Sequence, residues 1–184
     1  MPFDSSKVIQ GYDGVLSTAP IGTSIPPTLA DAVATPWVNA GWCIEDGHTF
    51  NPNLQSEDPI KAWPRGEIIK RPAPTLEPEF TFQLLQHVDA LDLLIAPDVE
   101  RMWILEYRDT TTSATHRLII PRAMTTEMSE ITFNTADPIG HEVTIGAIRD
   151  DTASIGAVGS EVVGWTFAFV VPDSTTGLDV IKAY

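Results

Sequence analysis

Glu79-Phe80-Thr81-Phe82-Gln83-Leu84 alternates polar and apolar side chains with a period of two. Successive side chains of a β-strand point to opposite faces of its sheet, so this pattern predicts a strand with one buried and one open face. Phe80, Phe82 and Leu84 are expected to face the core. The three polar side chains would then lie together on the open face.

The segment after this strand predicts an amphipathic helix over 87–96. Val88, Leu91 and Ile95 recur at helical spacing, and Pro97 closes the segment. One helix is therefore expected to pack on a β-sheet.

The C-terminal half predicts further short strands, because several stretches are rich in β-branched or aromatic residues and are bounded by turn formers. These strands are expected at Met102–Arg108, Arg117–Pro121, Glu127–Asn134, Glu142–Ile148 and Val162–Val171. The predicted fold is mainly β, an antiparallel sandwich or barrel with one flanking α-helix. Its core would span 78–171 within a single domain of residues 1–184.

The first part of the chain predicts extended structure, since 11 of the 15 prolines fall within residues 1–78. We expect an extended arm over 1–36 and a short strand over 42–45 that ends in an Asp46-Gly47 turn. A long loop over 48–74 would follow. A loop of that length in a compact domain is usually functional or engaged by a partner.

Charge is distributed unevenly along the chain, which has a formal net charge of -14. Such acidity disfavours wrapping around duplex nucleic acid, where basic side chains must neutralise phosphates. Four of the 11 basic residues, Lys61, Arg65, Lys70 and Arg71, lie in the predicted loop, whereas residues 8–60 contain none. The loop would find complementary charge on another copy of the chain, and head-to-tail contacts of this kind produce rings or filaments.

Each of these features also has a simpler interpretation. The basic cluster is equally consistent with a solvated face that keeps the loop exposed. Trp42 and Trp63 are more typical of packing aromatics than of a ligand platform. On propensity alone, Glu45-Asp46-Gly47 is an ordinary hairpin turn.

The sequence contains no recognisable catalytic or metal-binding motif. His48, His87, His116 and His141 lack HxxxH or HExxH spacing, and neither GxSxG nor GxxxxGK[ST] is present. Cys43 is the only cysteine, and a single cysteine in a strand is typical of an inert buried residue. We therefore expect no enzymatic activity, no cofactor and no metal.

The chain also lacks the features of an exported or membrane protein. Its first seven residues have neither the charged nor the apolar region of a signal peptide, and no apolar run approaches the roughly 20 residues of a membrane helix. With one cysteine, no intramolecular disulfide is possible, which fits a reducing cytoplasm. We expect a soluble polypeptide that is not exported.

Three stretches in the middle third of the chain are distinctive: Gly41-Trp42-Cys43-Ile44-Glu45-Asp46-Gly47, Asp58-Pro59-Ile60-Lys61-Ala62-Trp63, and the strand-then-helix segment from Phe80 to Ala96. Together they resemble the major tail tube proteins of long-tailed bacteriophages with non-contractile tails. The resemblance implies a β-sandwich with a flanking helix. Six copies would join sheet edges into a ring whose inner wall is one continuous barrel, and the rings would stack into a tube.

The resemblance also implies roles for particular side chains. The lumen of such a tube conducts the genome, and an acidic wall would keep phosphates from adhering. Polar positions on the alternating strands are the candidates for this wall: Glu79, Thr81, Gln83, Glu127, Glu130, Glu142 and Thr144. The candidates for contacts between stacked rings are Lys61, Trp63, Arg65, Lys70 and Arg71.

The partners implied are further copies of the chain in homohexameric rings, a tape-measure protein, and terminator and baseplate proteins. DNA would pass only as transient, non-adhering cargo, and no membrane contact is expected. The location implied is the virion tail, with assembly in the host cytoplasm. Two alternatives stay open: a non-catalytic β-sandwich binding module that uses Trp42 and Trp63, and another ring-forming tail component such as a terminator or baseplate protein.

Overall fold

A computed structural model describes residues 11–41, 43–55, 58–61, 63, 68–70, 75–85, 98–110, 112–129, 140–156, 161–172 and 179–184. Every regular element within these ranges is a β-strand. The strands are β1 (Gly11–Pro20), β2 (Val38–Asn39), β3 (Cys43–Asn51), β4 (Leu54–Gln55), β5 (Ile60–Lys61), β6 (Ile68–Lys70), β7 (Thr75–Leu76), β8 (Glu79–Leu84), β9 (Arg101–Asp109), β10 (Thr115–Met128), β11 (His141–Ala147), β12 (Asp150–Ile155), β13 (Val162–Trp165), β14 (Ala168–Pro172) and β15 (Asp179–Ala183).

The long strand β10 connects two sheets. Along one side, Arg117–Ile119 pair with β14, whereas Ala123–Met128 pair with β11. Its pairing with β9 shifts register between Ile120 and Ala123, where Pro121 lies. Register shifts of this kind bend a strand, and Pro cannot donate a ladder hydrogen bond. The nine-stranded sheet is therefore treated as two parts that meet at β10: sheet I (β2, β1, β9, the first half of β10, β14 and β15) and sheet II (the second half of β10, β11, β8 and β3).

The principal core lies between the two sheets. Phe82 on β8 is fully buried, and its ring centroid lies 5.5 Å from that of Phe80 and 5.1 Å from that of Trp103 on β9. On the edge strand β3, the ring of Phe50 packs edge-on against Phe167 at 4.9 Å, which fixes this edge against sheet I. The alternation along β8 is thus confirmed, because its apolar positions are buried and its polar positions are half-buried.

A second core covers the opposite face of sheet I. It is formed by residues 21–37, which we call the strap, and by the β12–β13 hairpin. Ile25 and Trp37 of the strap are buried there, and the Trp37 indole N–H donates to the carbonyl of Ser24 at 3.1 Å. Both β1 and most of the strap fall within the segment predicted as an extended arm over 1–36. In the structure, residues 11–36 instead pack onto and within sheet I.

One buried cation holds the strap in place. Arg117 on β10 has 2% of its side chain exposed, and its Nε donates to Oε1 of Glu106 at 2.7 Å. Its two terminal nitrogens donate to the backbone carbonyls of Thr28 and Asp31. Because a buried charge is costly unless it is paired and hydrogen-bonded, this arrangement ties the strap to sheet I.

The prediction of a flanking α-helix is wrong for the part of the chain that the structure describes, which is entirely β. The strap and the β12–β13 hairpin cover the face of sheet I that points away from the principal core. The predicted helical span 87–96 itself lies outside the described residues. Within the described ranges there is also no helix with the length and hydropathy needed to cross a bilayer.

The prediction of a hairpin turn at Asp46-Gly47 is also wrong, because β3 continues through both residues to Asn51. The pairing with β8 shifts register between Cys43 and His48, so the extra residues form an irregularity within the strand. A glycine inside a strand often marks such a bulge, and here the chain bends without reversing. The long loop predicted over 48–74 accordingly begins with strand residues.

Two histidines pack against aromatic rings in or near the core. His116 is buried and stacks on Tyr107 with ring centroids 5.3 Å apart, while half-buried His48 stacks on Phe80 at 6.0 Å. Neither Nδ1 atom has a hydrogen-bond partner among the described residues. Burial lowers the pKa of both imidazoles from the ordinary value of 6.5, although the Asp109 carboxylate partly opposes this for His116.

Stability is therefore expected to fall as the pH drops below 6.5. The unfolded chain takes up protons on these histidines in that range while the folded chain does not, so the free energy of unfolding decreases until the pH reaches the lowered folded pKa values. Urea unfolding between about pH 7 and about pH 5 measures this slope. In the variant His48→Gln/His116→Gln the slope should be shallower, and an unchanged slope would contradict this role for the two imidazoles.

Candidate assembly surfaces

The outer face of sheet II is polar, in contrast to its buried inner face. Thr81 in β8 lies between Thr49 on β3 and Thr144 on β11 in the strand register. The hydroxyl groups of Thr81 and Thr144 are 2.9 Å apart and form a hydrogen bond. Glu127 on β10 is the next residue in the same row. Directly paired residues of an antiparallel sheet share a face, so one polar row crosses all four strands.

Two further pairs extend this polar face along the strands. Glu79 pairs with Asn51 at one end of β8, and Gln83 pairs with Glu142 towards the other end. The structure thus brings together six of the seven residues predicted from the strand alternation as lumen-facing, namely Glu79, Thr81, Gln83, Glu127, Glu142 and Thr144. The seventh, Glu130, lies outside the described residues.

Sequence reasoning missed the contribution of β3 to this face. Thr49 and Asn51 belong to it, but the strand was predicted to stop at Glu45. The sequence offers only a weak signal here, because Phe50 is the single apolar residue between polar Thr49 and Asn51.

Sheet II has an unpaired edge on each side in the described part of the chain. Strand β3 pairs only with β8, which leaves its outer edge free. On the other side, β9 accompanies β10 only as far as Ala123, so Met124–Met128 have β11 on one side and no described strand on the other. Unpaired backbone groups of this kind are a template for pairing with another chain.

A β-stranded arm projects from the end of sheet II at which Asn51 and Glu79 pair. We define the arm as Leu54–Leu76; β4 pairs with β7 in it, and β5 pairs with β6. At its base, the amide of Glu77 donates to the carbonyl of Asn53 at 3.4 Å. Residues 54–74 of the arm lie within the segment predicted as a long loop, and the described residues add several short strands to that prediction.

The described part of the arm is exposed despite its apolar composition. Trp63 has 93% of its surface exposed, Ile69 70% and Leu54 64%, and Ile60 and Ile68 are exposed as well. Monomeric proteins seldom leave several large apolar side chains together in solvent unless a partner covers them. Among the described residues, Trp63 therefore does not take the packing role that its residue type favours.

Two of the predicted stacking residues accompany these apolar side chains. Lys61 and Lys70 are both exposed, and in the β5–β6 pairing Lys70 lies opposite Ile60 while Lys61 lies opposite Ile68. The arm thus combines positive charge with exposed apolar surface in a chain of net charge -14. Arg65 and Arg71 lie outside the described residues.

Cys43, the only cysteine of the sequence, is half-buried. Burial raises the pKa of the Cys43 thiol to about 11, so the reactive thiolate is scarce at neutral pH. No group of three or more His, Cys, Asp or Glu side chains within the described ranges is placed to hold a metal ion.

Together these features define a class of protein: an antiparallel β-sandwich with one sheet covered on both faces and a second sheet that is polar outside and, among the described residues, unpaired at both edges. No family model matches the chain, and no characterised protein sequence is significantly similar to it. Among solved structures, the chain is similar to one described as "Crystal structure of Hcp protein". The two share 11% sequence identity with a TM-score of 0.41, over 94% of this chain and 100% of the other.

Proposed function

We propose that this chain is a structural subunit that self-assembles into stacked rings forming the tail tube of a long-tailed bacteriophage with a non-contractile tail. The observation that carries this proposal is the exposed, apolar and basic arm. Isolated two-stranded hairpins are marginally stable in water, and β4 to β7 are only two or three residues long. The arm therefore requires a partner surface, and the acidic remainder of an identical chain offers complementary charge.

Within a ring, the two free edges of sheet II supply the lateral contact. In the proposed assembly, the outer edge of β3 pairs with Met124–Met128 of the neighbouring copy, so that sheet II continues from one subunit to the next. Closing a sheet into a barrel removes its exposed edges, which is the general solution to uncontrolled edge pairing. The ring number of six comes from the sequence resemblance.

In such a ring the polar face of sheet II lines the channel. The apolar face is already occupied by the core that includes Phe80 and Phe82, so it is not available to face a lumen. The polar face presents Glu79, Glu127 and Glu142 between threonine hydroxyls. Carboxylates repel phosphates over about a Debye length, roughly 8–10 Å at moderate salt, which allows DNA to pass without adhering.

The arm supplies the contact between rings through Lys61, Trp63 and Lys70, with Arg65 and Arg71 as further candidates. The role is structural and not catalytic. The proposed partners are other copies of the chain, a tape-measure protein, and the terminator and baseplate proteins of the tail. The proposed location is the virion tail, after assembly in the host cytoplasm.

Deleting residues 53–72 and joining the ends with a short Gly-Ser linker should abolish stacking and leave the sandwich folded. The described arm residues are mostly exposed, so their removal takes little from the core. Sedimentation velocity should show large polymers for the native chain and single rings or monomers for the deletion.

The matched control replaces exposed apolar residues away from the arm. The variant Val162→Ser/Val163→Ser, on β13, should polymerise like the native chain. If the deletion variant forms tubes as readily as the native chain, the role assigned to the arm is wrong.

A further inference from the structure

We infer that the arm of one copy docks on the opposite end of sheet II of a second copy, at a surface formed by Glu142, Met128 and Ser129. This inference rests on the proposed function and adds the receiving surface for the arm. We call this surface the acidic end of sheet II. The occupant is a second copy of the same chain, related head to tail.

The strand register places the arm and the acidic end at opposite ends of the sheet. The arm leaves where Glu79 pairs with Asn51, and Glu142 pairs with Gln83, four residues further along β8. At about 3.3 Å per residue, these positions are separated by about 13 Å. The amide of Ser129 donates to the carbonyl of Glu142 at 3.1 Å, which holds the end of β10 beside β11.

The two surfaces are complementary in charge and in polarity. Glu142 is exposed, as are Ser129 and the neighbouring Glu127. Met128 pairs with Val143, so its side chain lies on the other face at the end of β10, where it is 42% exposed. Methionine adapts to irregular apolar partners and contacts aromatic rings favourably. Lys61 and Lys70 can pair with the carboxylates on the polar face, while Trp63 or the arm isoleucines reach over the end of the sheet and cover Met128.

The placement at opposite ends explains why the contact repeats. An arm that docked near its own base on a second copy would form a closed, two-fold dimer, because each copy would fill the site of the other. An arm that docks on the far end leaves one free arm and one free acidic end after every addition. A stack of rings can keep growing only if each added copy leaves a free arm and a free acidic end.

Reversing charges tests the contact directly. Lys70→Glu and Glu142→Lys, each alone, should raise the protein concentration required for polymerisation about tenfold, and the double variant should return to within about twofold of the native value. Lys182→Glu, an exposed lysine on β15 outside both surfaces, serves as the control and should behave like the native chain. All three residues are exposed, and circular dichroism checks that each variant is folded.

Cross-linking provides a second measurement. A short bismaleimide should join Ile69→Cys/Ser129→Cys chains into a ladder of covalent oligomers, whereas either single variant should yield at most dimers. Native Cys43 contributes little, because its raised pKa suppresses the thiolate.

Tubes that assemble without this ladder, or that tolerate both single charge reversals, would overturn the docking surface and leave the proposed function intact. A native chain that forms no polymer at all would instead overturn the proposed function itself.

Discussion

Replacing Arg117 with methionine is expected to reduce the free energy of unfolding by about 3–5 kcal/mol, the usual effect of breaking a buried ion pair from one side. Methionine fills similar space but leaves the partly buried Glu106 carboxylate without its partner. It also leaves the carbonyls of Thr28 and Asp31 without their donors. Because whole domains are stable by only about 5–15 kcal/mol, urea unfolding should show a large shift in the midpoint.

An exposed ion pair is the matched control for this substitution. Arg149 pairs with Asp151 at 2.7 Å, but 62% and 80% of their side chains are exposed. Surface pairs of this kind contribute little, so Arg149→Met should leave the unfolding midpoint unchanged within error. Arg117→Lys should destabilise the fold as well, because an ammonium cannot reproduce the planar fork of donors.

The Arg117 substitution should also release the strap specifically. The strap contains no lysine or arginine, so thermolysin is a suitable protease and trypsin is not. Cleavage within residues 21–37 should be faster in Arg117→Met than in the native chain under conditions in which both are folded. Equal cleavage rates and equal stability would contradict the anchoring role of Arg117.

Replacing Phe82 with alanine is expected to cost about 3–5 kcal/mol of unfolding free energy. Phe82 is fully buried between the sheets, in contact with Phe80 and Trp103, and these rigid aromatic neighbours cannot easily fill the resulting cavity. The measurement is equilibrium unfolding in urea, followed by tryptophan fluorescence.

A substitution on the other face of sheet II provides the comparison. Thr49 on β3 is exposed and belongs to the polar row opposite the core. Thr49→Ala should change the unfolding free energy by no more than about 0.5 kcal/mol, as is usual for surface positions. Similar effects of Phe82→Ala and Thr49→Ala would mean that the two faces of sheet II have been assigned wrongly.

The polar face of sheet II could be predicted from sequence because polar and apolar side chains alternate along a strand that has one buried face. Glu79, Thr81 and Gln83 were assigned correctly to one face by this rule alone. The extension onto β3 was missed because Asp46-Gly47 is a strong turn signal locally, and only the pairing of β3 with β8 converts it into a bulge. Tertiary pairing of this kind is not encoded in a short window of sequence.

The anchoring role of Arg117 could not be predicted from the residues around it. The sequence shows only a single charge before the apolar run Leu118-Ile119-Ile120, and Glu106 in a similar apolar stretch of β9. Their pairing depends on the register of β9 with β10, and the backbone carbonyls that complete it come from the strap almost 90 residues earlier. The exposure of Trp63 likewise had no local signal, since tryptophan usually buries a large area.

The central claim is that the chain polymerises through sheet II edges and the arm, and negative-stain electron microscopy of the purified native chain tests it most directly. The account predicts rings, or tubes of uniform width with a stain-filled central channel, that become more abundant with rising protein concentration. Particles that remain monomeric at high concentration, even after tail-initiating proteins are added, would contradict it.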